Sequence, residues 1–127
     1  MIDDDQDDQE IFGIALEKIG IPINLVTAND AFEGLEKLNK EKTFIPDFIF
    51  LDLNMPLMNG RQCLAEMKKC PALSKIPVII YSTSEEQKDI IETMAMGASG
   101  FITKPGSLHK LTIILSDFFQ KNIVAHD

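Results

Sequence analysis

The stretch FIFLD, residues 48–52, runs four apolar residues straight into an aspartate. Alternating apolar and polar residues would mark a strand wetted on one face. Unbroken apolar character marks a strand buried on both, as in a parallel sheet. Pro77-Val78-Ile79-Ile80-Tyr81 and Gly100-Phe101-Ile102-Thr103 share the pattern, and Ile23-Asn24-Leu25-Val26 is a weaker fourth run. Segments with helical spacing lie between them. Ile11, Phe12, Ala15, Leu16 and Ile19 form one stripe, stopped by Gly20 and Pro22. Phe32, Leu35 and Leu38 follow the capping candidates Thr27, Asn29 and Asp30. Cys63, Leu64 and Met67 precede Pro71; Ile90, Ile91 and Met94 precede Gly97; Leu108, Leu111, Leu115 and Phe118 complete the set. The Met and Phe residues on these stripes are read as core. Strands alternating with helices predict an α/β fold with right-handed crossovers and helices on both sheet faces. Asn39 to Pro46 reads as a polar connection.

A chain of 127 residues suits one domain, expected to span 1–127 with no linker. The net charge of −8 argues against non-specific binding to nucleic acid or an anionic membrane. Six acids and no base fall in residues 1–10, so the acidity is concentrated at one end. No apolar run is long enough to span a bilayer, and no signal-peptide pattern precedes the acids. Cys63 and Cys70, on one expected helix, are separated by a rise of about 10 Å, too far for a disulfide. A reduced, cytoplasmic protein is expected. Asp3, Asp5 and Asp7 superficially match a calcium-binding EF-hand loop, but Asp8 stands where Gly is needed and Ile14 where Glu is needed.

Ligands of open parallel sheets bind outside the carboxyl ends of the strands. A first strand ending at Ile2 runs into Asp3 and Asp4; the third ends at Asp52, the fourth at Ser82 and Thr83, the fifth at Lys104. Taken alone, Asp52 reads equally as a turn or capping residue, and Lys104 and Ser82 read better as solvated loop residues. Four strand ends converging on one edge favour a site. Clustered carboxylates cannot all ionise without a large penalty, which a divalent cation relieves. An all-oxygen set suits Mg²⁺, Ca²⁺ or Mn²⁺. A carboxylate freed of its neighbours' repulsion can attack phosphorus and form an acyl phosphate, with Lys104 and Ser82 offsetting phosphoryl charge.

The motifs IDDD (2–5), FLDLNMPLMNG (50–60), IIYSTS (79–84) and GASGFITKPG (97–106) together resemble the receiver domain of two-component response regulators, in its single-domain, chemotaxis-regulator-like form. The likeness runs from Ile2 to about Phe119. It implies a flavodoxin-like, doubly wound, five-stranded parallel sheet of order 2-1-3-4-5 with five helices. It implies that Asp52 is the phosphoacceptor, and that Asp3, Asp4, Asp52 and the Asn54 backbone carbonyl form the Mg²⁺ site. Ser82 and Phe101 are implied as the switch pair, Lys104 as the active-site lysine, and Lys104–Pro105 as a cis peptide. Asn54 and Ser84 match positions that tune phosphoryl lifetime, and small Thr83 leaves room for a donor. Gly106 departs from the bulky apolar residue usual after Lys-Pro. The first strand is also truncated: Met1-Ile2 is too short for a central strand. The expectation is that natural residues upstream complete it, which cooperative unfolding of a 14.2 kDa chain would contradict.

The implied partners are a histidine kinase or phosphotransfer protein, and a downstream protein target on the face of the fourth helix, fifth strand and fifth helix. A phosphorylation-dependent dimer is compatible with the resemblance. No nucleic acid, membrane or output domain is expected, and no enzyme activity beyond assisting its own phosphorylation and dephosphorylation. One rival reading is a haloacid-dehalogenase-type phosphohydrolase, which needs D-x-D where this chain has Asp52-Leu53-Asn54. A second is a phosphorylation-independent interaction module. His109 and His126 are read as surface residues rather than relay histidines.

Overall fold

The computed structural model describes residues 1–40 and 44–123; His126 and part of the Asn39–Pro46 connection lie outside them. The elements in chain order are α1 (Gln6–Ile19), α2 (Ala31–Lys40), β1 (Ile49–Leu51), α3 (Gly60–Lys69), β2 (Val78–Ser82), α4 (Gln87–Ala95), β3 (Gly100–Thr103) and α5 (Leu108–Ile123). The three apolar runs form a parallel sheet β1-β2-β3, with Phe50 opposite Ile79 and Ile80 opposite Phe101. Alternate strand residues feed two separate cores. Ile49, Leu51, Val78 and Ile80 pack with Leu38, Cys63, Leu64 and Met67 from α2 and α3. Phe50, Ile79 and Tyr81 pack with Phe12, Leu16, Leu111, Leu115 and Phe119 from α1 and α5. Burial on both faces is why the strands carry no polar alternation.

Among the described residues the five helices occur as expected, but the sheet has three regular strands rather than five. The other two are reduced to bridges: Ile2 pairs in parallel with both Ala28 and Leu51, which preserves the central place of the first strand. Ile2 donates to the Phe50 carbonyl at 2.8 Å and accepts from Asp52 N–H at 3.0 Å; Asp3 N–H donates to Ala28 at 3.1 Å. One residue cannot support longer ladders, so Ile23–Val26 is irregular. It keeps a strand-like pattern, with Ile23 and Leu25 half-buried and Asn24 and Val26 exposed. A cleft of about 1480 Å³ lies beside it, lined by Ile23, Leu25, Phe48, Phe50, Ile102 and Phe119 among others. No cis peptide occurs among the described residues, so Lys104–Pro105 is trans, the isomer such bonds favour by about 0.5–1 kcal/mol.

Helix ends follow their sequence signals. Asp5 caps α1, accepting from Asp7 N–H and Asp8 N–H, and Gly20 closes it in the left-handed region at φ 73°. Asn59 and Gln62 form a reciprocal capping box on α3. Four stripe residues are exposed rather than core, among them Ile11 (40%) on the outer side of α1. Phe32 is 53% exposed because Ala31, Leu35 and Leu38 turn the inner face of α2 inward. On α4, Ile91 (64%) and Met94 (43%) face outward, and Thr93 is the buried residue. Cys63 and Cys70 are free thiols.

Candidate functional site

Asp52 directly follows β1, and Asp3 and Asp4 directly follow the Ile2 bridge, so hydrogen-bonded neighbouring backbones bring the three acids together. Ligand-capable oxygens of Asp3, Asp4 and Asp52 all lie within 4.8 Å of one another. Asp3 and Asp52 are buried; Asp4 is exposed and opens the cluster to solvent. Asp3 Oδ1 accepts from Asp5 N–H at 2.9 Å, and the buried Asp3 Oδ2 lies 2.9 Å from the Lys104 ammonium. Three carboxylates crowded on a partly open edge, with a single ammonium beside two of them, fit a hard cation with oxygen ligands.

Lys104 follows β3, and its backbone N–H donates to Ser82 O at 2.7 Å, which fixes its root at the end of β2. Its ammonium lies 2.8 Å from Asp8, 2.9 Å from Asp3 and 3.7 Å from Asp52. It also sits over the Tyr81 ring, 5.4 Å from the centroid. Burial works against the ammonium, yet its bonds to Asp8 and Asp3 and the charge of Asp52 hold its pKa well above the ordinary lysine value. Burial, reinforced by Asp3, pushes Asp52 up to about 6, against the opposing pull of Lys104 and the Asn54 N–H. Burial also raises Asp3.

The remaining expected residues sit around this core. Ser82 ends β2 fully buried, and its hydroxyl accepts from Ser84 N–H at 3.2 Å; among the described residues it makes no hydrogen bond to Asp52. Asn54 and Thr83 are exposed. Phe101 on β3 is half-buried against the α2–α3 core. Ser84 donates its hydroxyl to Asp89 of α4, and Asp89 pairs with Arg61 of α3. His109 is exposed on α5.

Two contributors escaped the sequence reading. Tyr81 reads as one more apolar strand residue, yet it floors the lysine. Asp8 reads as a helix-start acid, yet it binds the lysine 96 residues away. Leu57, in the loop after Asp52, is 87% exposed and adopts φ 68°. The Met58 N–H closes a tight turn onto Pro56 O at 2.8 Å around it.

A sequence profile described as the response regulator receiver domain matches residues 1–116. The probable transcriptional regulator ycf29 of Pyropia yezoensis is 38% identical over 101 residues, covering 80% of this chain but only 44% of that protein. The chain therefore spans less than half of that relative's length. The phosphorylated cyanobacterial phytochrome response regulator RcpA superposes with a TM-score of 0.84 at 33% identity, covering 94% of this chain and 88% of that one. The Mn²⁺-bound form of response regulator Rcp1 gives 0.81 at 27% identity, covering 93% and 88%.

Proposed function

Since the chain belongs to the response regulator receiver domain family, we propose that Asp52 is its phosphoacceptor, charged by a histidine kinase or phosphotransfer protein. Receiver domains accept phosphoryl groups in two-component signalling and engage such donors. The observation that supports Asp52 here is its carboxylate: buried at a strand end, 3.7 Å from the Lys104 ammonium and clustered with Asp3 and Asp4.

In the proposed reaction an Asp52 carboxylate oxygen attacks phosphorus. The new O–P bond forms as the P–N bond of a phosphohistidine breaks, and the departing imidazole takes a proton from solvent. Asp52 must be ionised to attack, and a pKa of about 6 leaves it largely so at neutral pH. Lys104 offsets the charge of the transferred oxygens. Ser82, at the neighbouring strand end, turns its hydroxyl from Ser84 toward them, and Phe101 moves into the space behind. Asp3, Asp4, Asp52 and the Asn54 backbone carbonyl would hold Mg²⁺, which when bound neutralises the crowded acids and the phosphoryl oxygens.

The readout is a shift of the face formed by α4, β3 and α5, where Ile91, Met94 and Ile113 stand exposed to meet a protein target. The described residues contain no helix long and apolar enough to cross a membrane, and we place the domain in the cytoplasm, as one receiver over 1–127. It acts as a signalling domain, catalysing only its own phosphorylation and dephosphorylation.

Incubation with Mg²⁺ and a small phosphodonor tests this by intact mass. A single phosphoryl adduct that Asp52→Asn abolishes is expected. No adduct, with metal bound, would mean a passive interaction module; rapid multiple turnover of a phosphoester would mean a hydrolase.

A further inference from the structure

The Lys104 ammonium has three N–H donors and faces three carboxylates. It lies within hydrogen-bond distance of Asp8 and Asp3, at 2.8 and 2.9 Å, but 3.7 Å from Asp52. Its side chain is only 9% exposed, with Tyr81 beneath it, so these acids rather than water decide where its charge rests. Asp8 differs from the other two. It is carried by α1, not by a strand end, and its side chain is 29% exposed.

We infer that Asp8 is a positioning residue that holds the Lys104 charge back from Asp52 until a phosphoryl group competes for it. The inference rests on Asp52 as phosphoacceptor. Lys104 is anchored through its backbone bond to Ser82, so its head swings over a short arc between Asp8 and Asp52. Closing the 3.7 Å gap to a hydrogen bond takes a shift of roughly 1 Å. An acyl phosphate on Asp52 brings about two negative charges and three acceptor oxygens into that gap. Asp8 offers one charge, partly screened by water. Phosphorylation therefore exchanges the Asp8–Lys104 pair for a phosphoryl–Lys104 pair. The released carboxylate stays in the first turn of α1, where the helix dipole favours it. The state of Asp52 is thereby coupled to the start of α1.

The test compares Asp8→Asn, Asp8→Glu and the control Asp7→Asn, whose charge lies in the same first turn without touching Lys104. Two quantities are measured: the phosphorylation rate with Mg²⁺ and a small phosphodonor, and the labelling rate of Lys104 by an amine-reactive acylating reagent in metal-free, unphosphorylated protein. Asp8→Asn should raise both by about two- to fivefold, the range of a partly exposed ion pair. Asp8→Glu should restore both toward wild type, and Asp7→Asn should leave Lys104 labelling unchanged. Equal effects of Asp8→Asn and Asp7→Asn, a slower Asp8→Asn, or unchanged Lys104 labelling would overturn the inference. The labelling needs no phosphoryl transfer, so it tests the restraint even where wild type takes no phosphoryl group, an outcome that would instead refute the phosphoacceptor reading.

Discussion

Gly60→Ala should disable the site from outside it. Gly60 opens α3 and packs against the backbone just beyond β1, donating its N–H to Leu53 O at 2.9 Å. A Cβ added there would lie 2.3 Å from Asp52 O, 2.7 Å from Leu53 Cα and 3.0 Å from Asp52 C. Ordinary contact begins near 3.4 Å, so the start of α3 or the Asp52 peptide must move by roughly 1 Å. All three obstructions are backbone, and no rotamer change can relieve them. Overpacking of this kind costs about 1–3 kcal/mol, a sizeable part of the roughly 5–15 kcal/mol that holds a domain together. For a domain of this size Tm falls by roughly 3–5 °C per kcal/mol. The functional loss should be larger than the stability loss. The displaced peptide carries the Asp52 carboxylate away from Asp3 and Lys104, and misplacement by about 1 Å can reduce a rate on the order of 100-fold. Urea unfolding followed by circular dichroism gives the first number, and the initial phosphorylation rate with Mg²⁺ and a small phosphodonor gives the second. Gly106→Ala is the control, because nothing lies within 4 Å of its added Cβ. A Gly60→Ala protein with wild-type urea midpoint and rate would refute the claim that this close approach holds the phosphoacceptor in place.

Other consequences concern stability. Asp52 is raised from 3.8 to about 6, so the folded state binds its proton more tightly than the unfolded chain. That contribution, at most about 3 kcal/mol, is present below the ordinary Asp pKa and lost as pH rises through about 6. In metal-free buffer, the stability advantage of Asp52→Asn over wild type should therefore grow between pH 4 and 7; a constant difference would contradict it. Leu57→Gly should stabilise the fold by about 1 kcal/mol and so raise the urea midpoint, since it relieves a positive φ at a side chain that buries almost nothing; a lower midpoint would contradict it. The cleft beside Ile23–Val26 predicts that about five apolar residues fused ahead of Met1 add a strand and stabilise by about 2–3 kcal/mol. A Gly/Ser fusion of equal length should not, and equal midpoints for the two would count against the slot.

Strand positions were legible because burial on both faces leaves unbroken apolar runs, and the last residues of those runs named Asp52, Ser82 and Lys104. Helical spacing showed which residues share a face, not whether another element covers it. Hence Ile91 and Met94 fall on one stripe and still stand exposed, because only the Thr93 side of α4 meets the protein. Asp8 was hidden for a related reason. An acid in a first helical turn has a sufficient local explanation, and its second partner becomes visible only when β3 brings Lys104 beside α1. The short first strand was legible from Met1-Ile2, but its consequence for Ile23–Val26 was not: Ile2 pairs with that side of the sheet at Ala28 alone, so the weaker run forms no regular strand. Leu57 carries no Gly or Asn signal for its left-handed conformation.

The central claim is that the phosphoryl group goes to Asp52. Protein treated with Mg²⁺ and a small phosphodonor can be reduced with borohydride, which converts an aspartyl phosphate to homoserine, and then mapped by tandem mass spectrometry. Homoserine at position 52 alone is the expected result. Homoserine at Asp3 or Asp4, a stable phosphate on Ser82, or an unmodified chain would contradict the account.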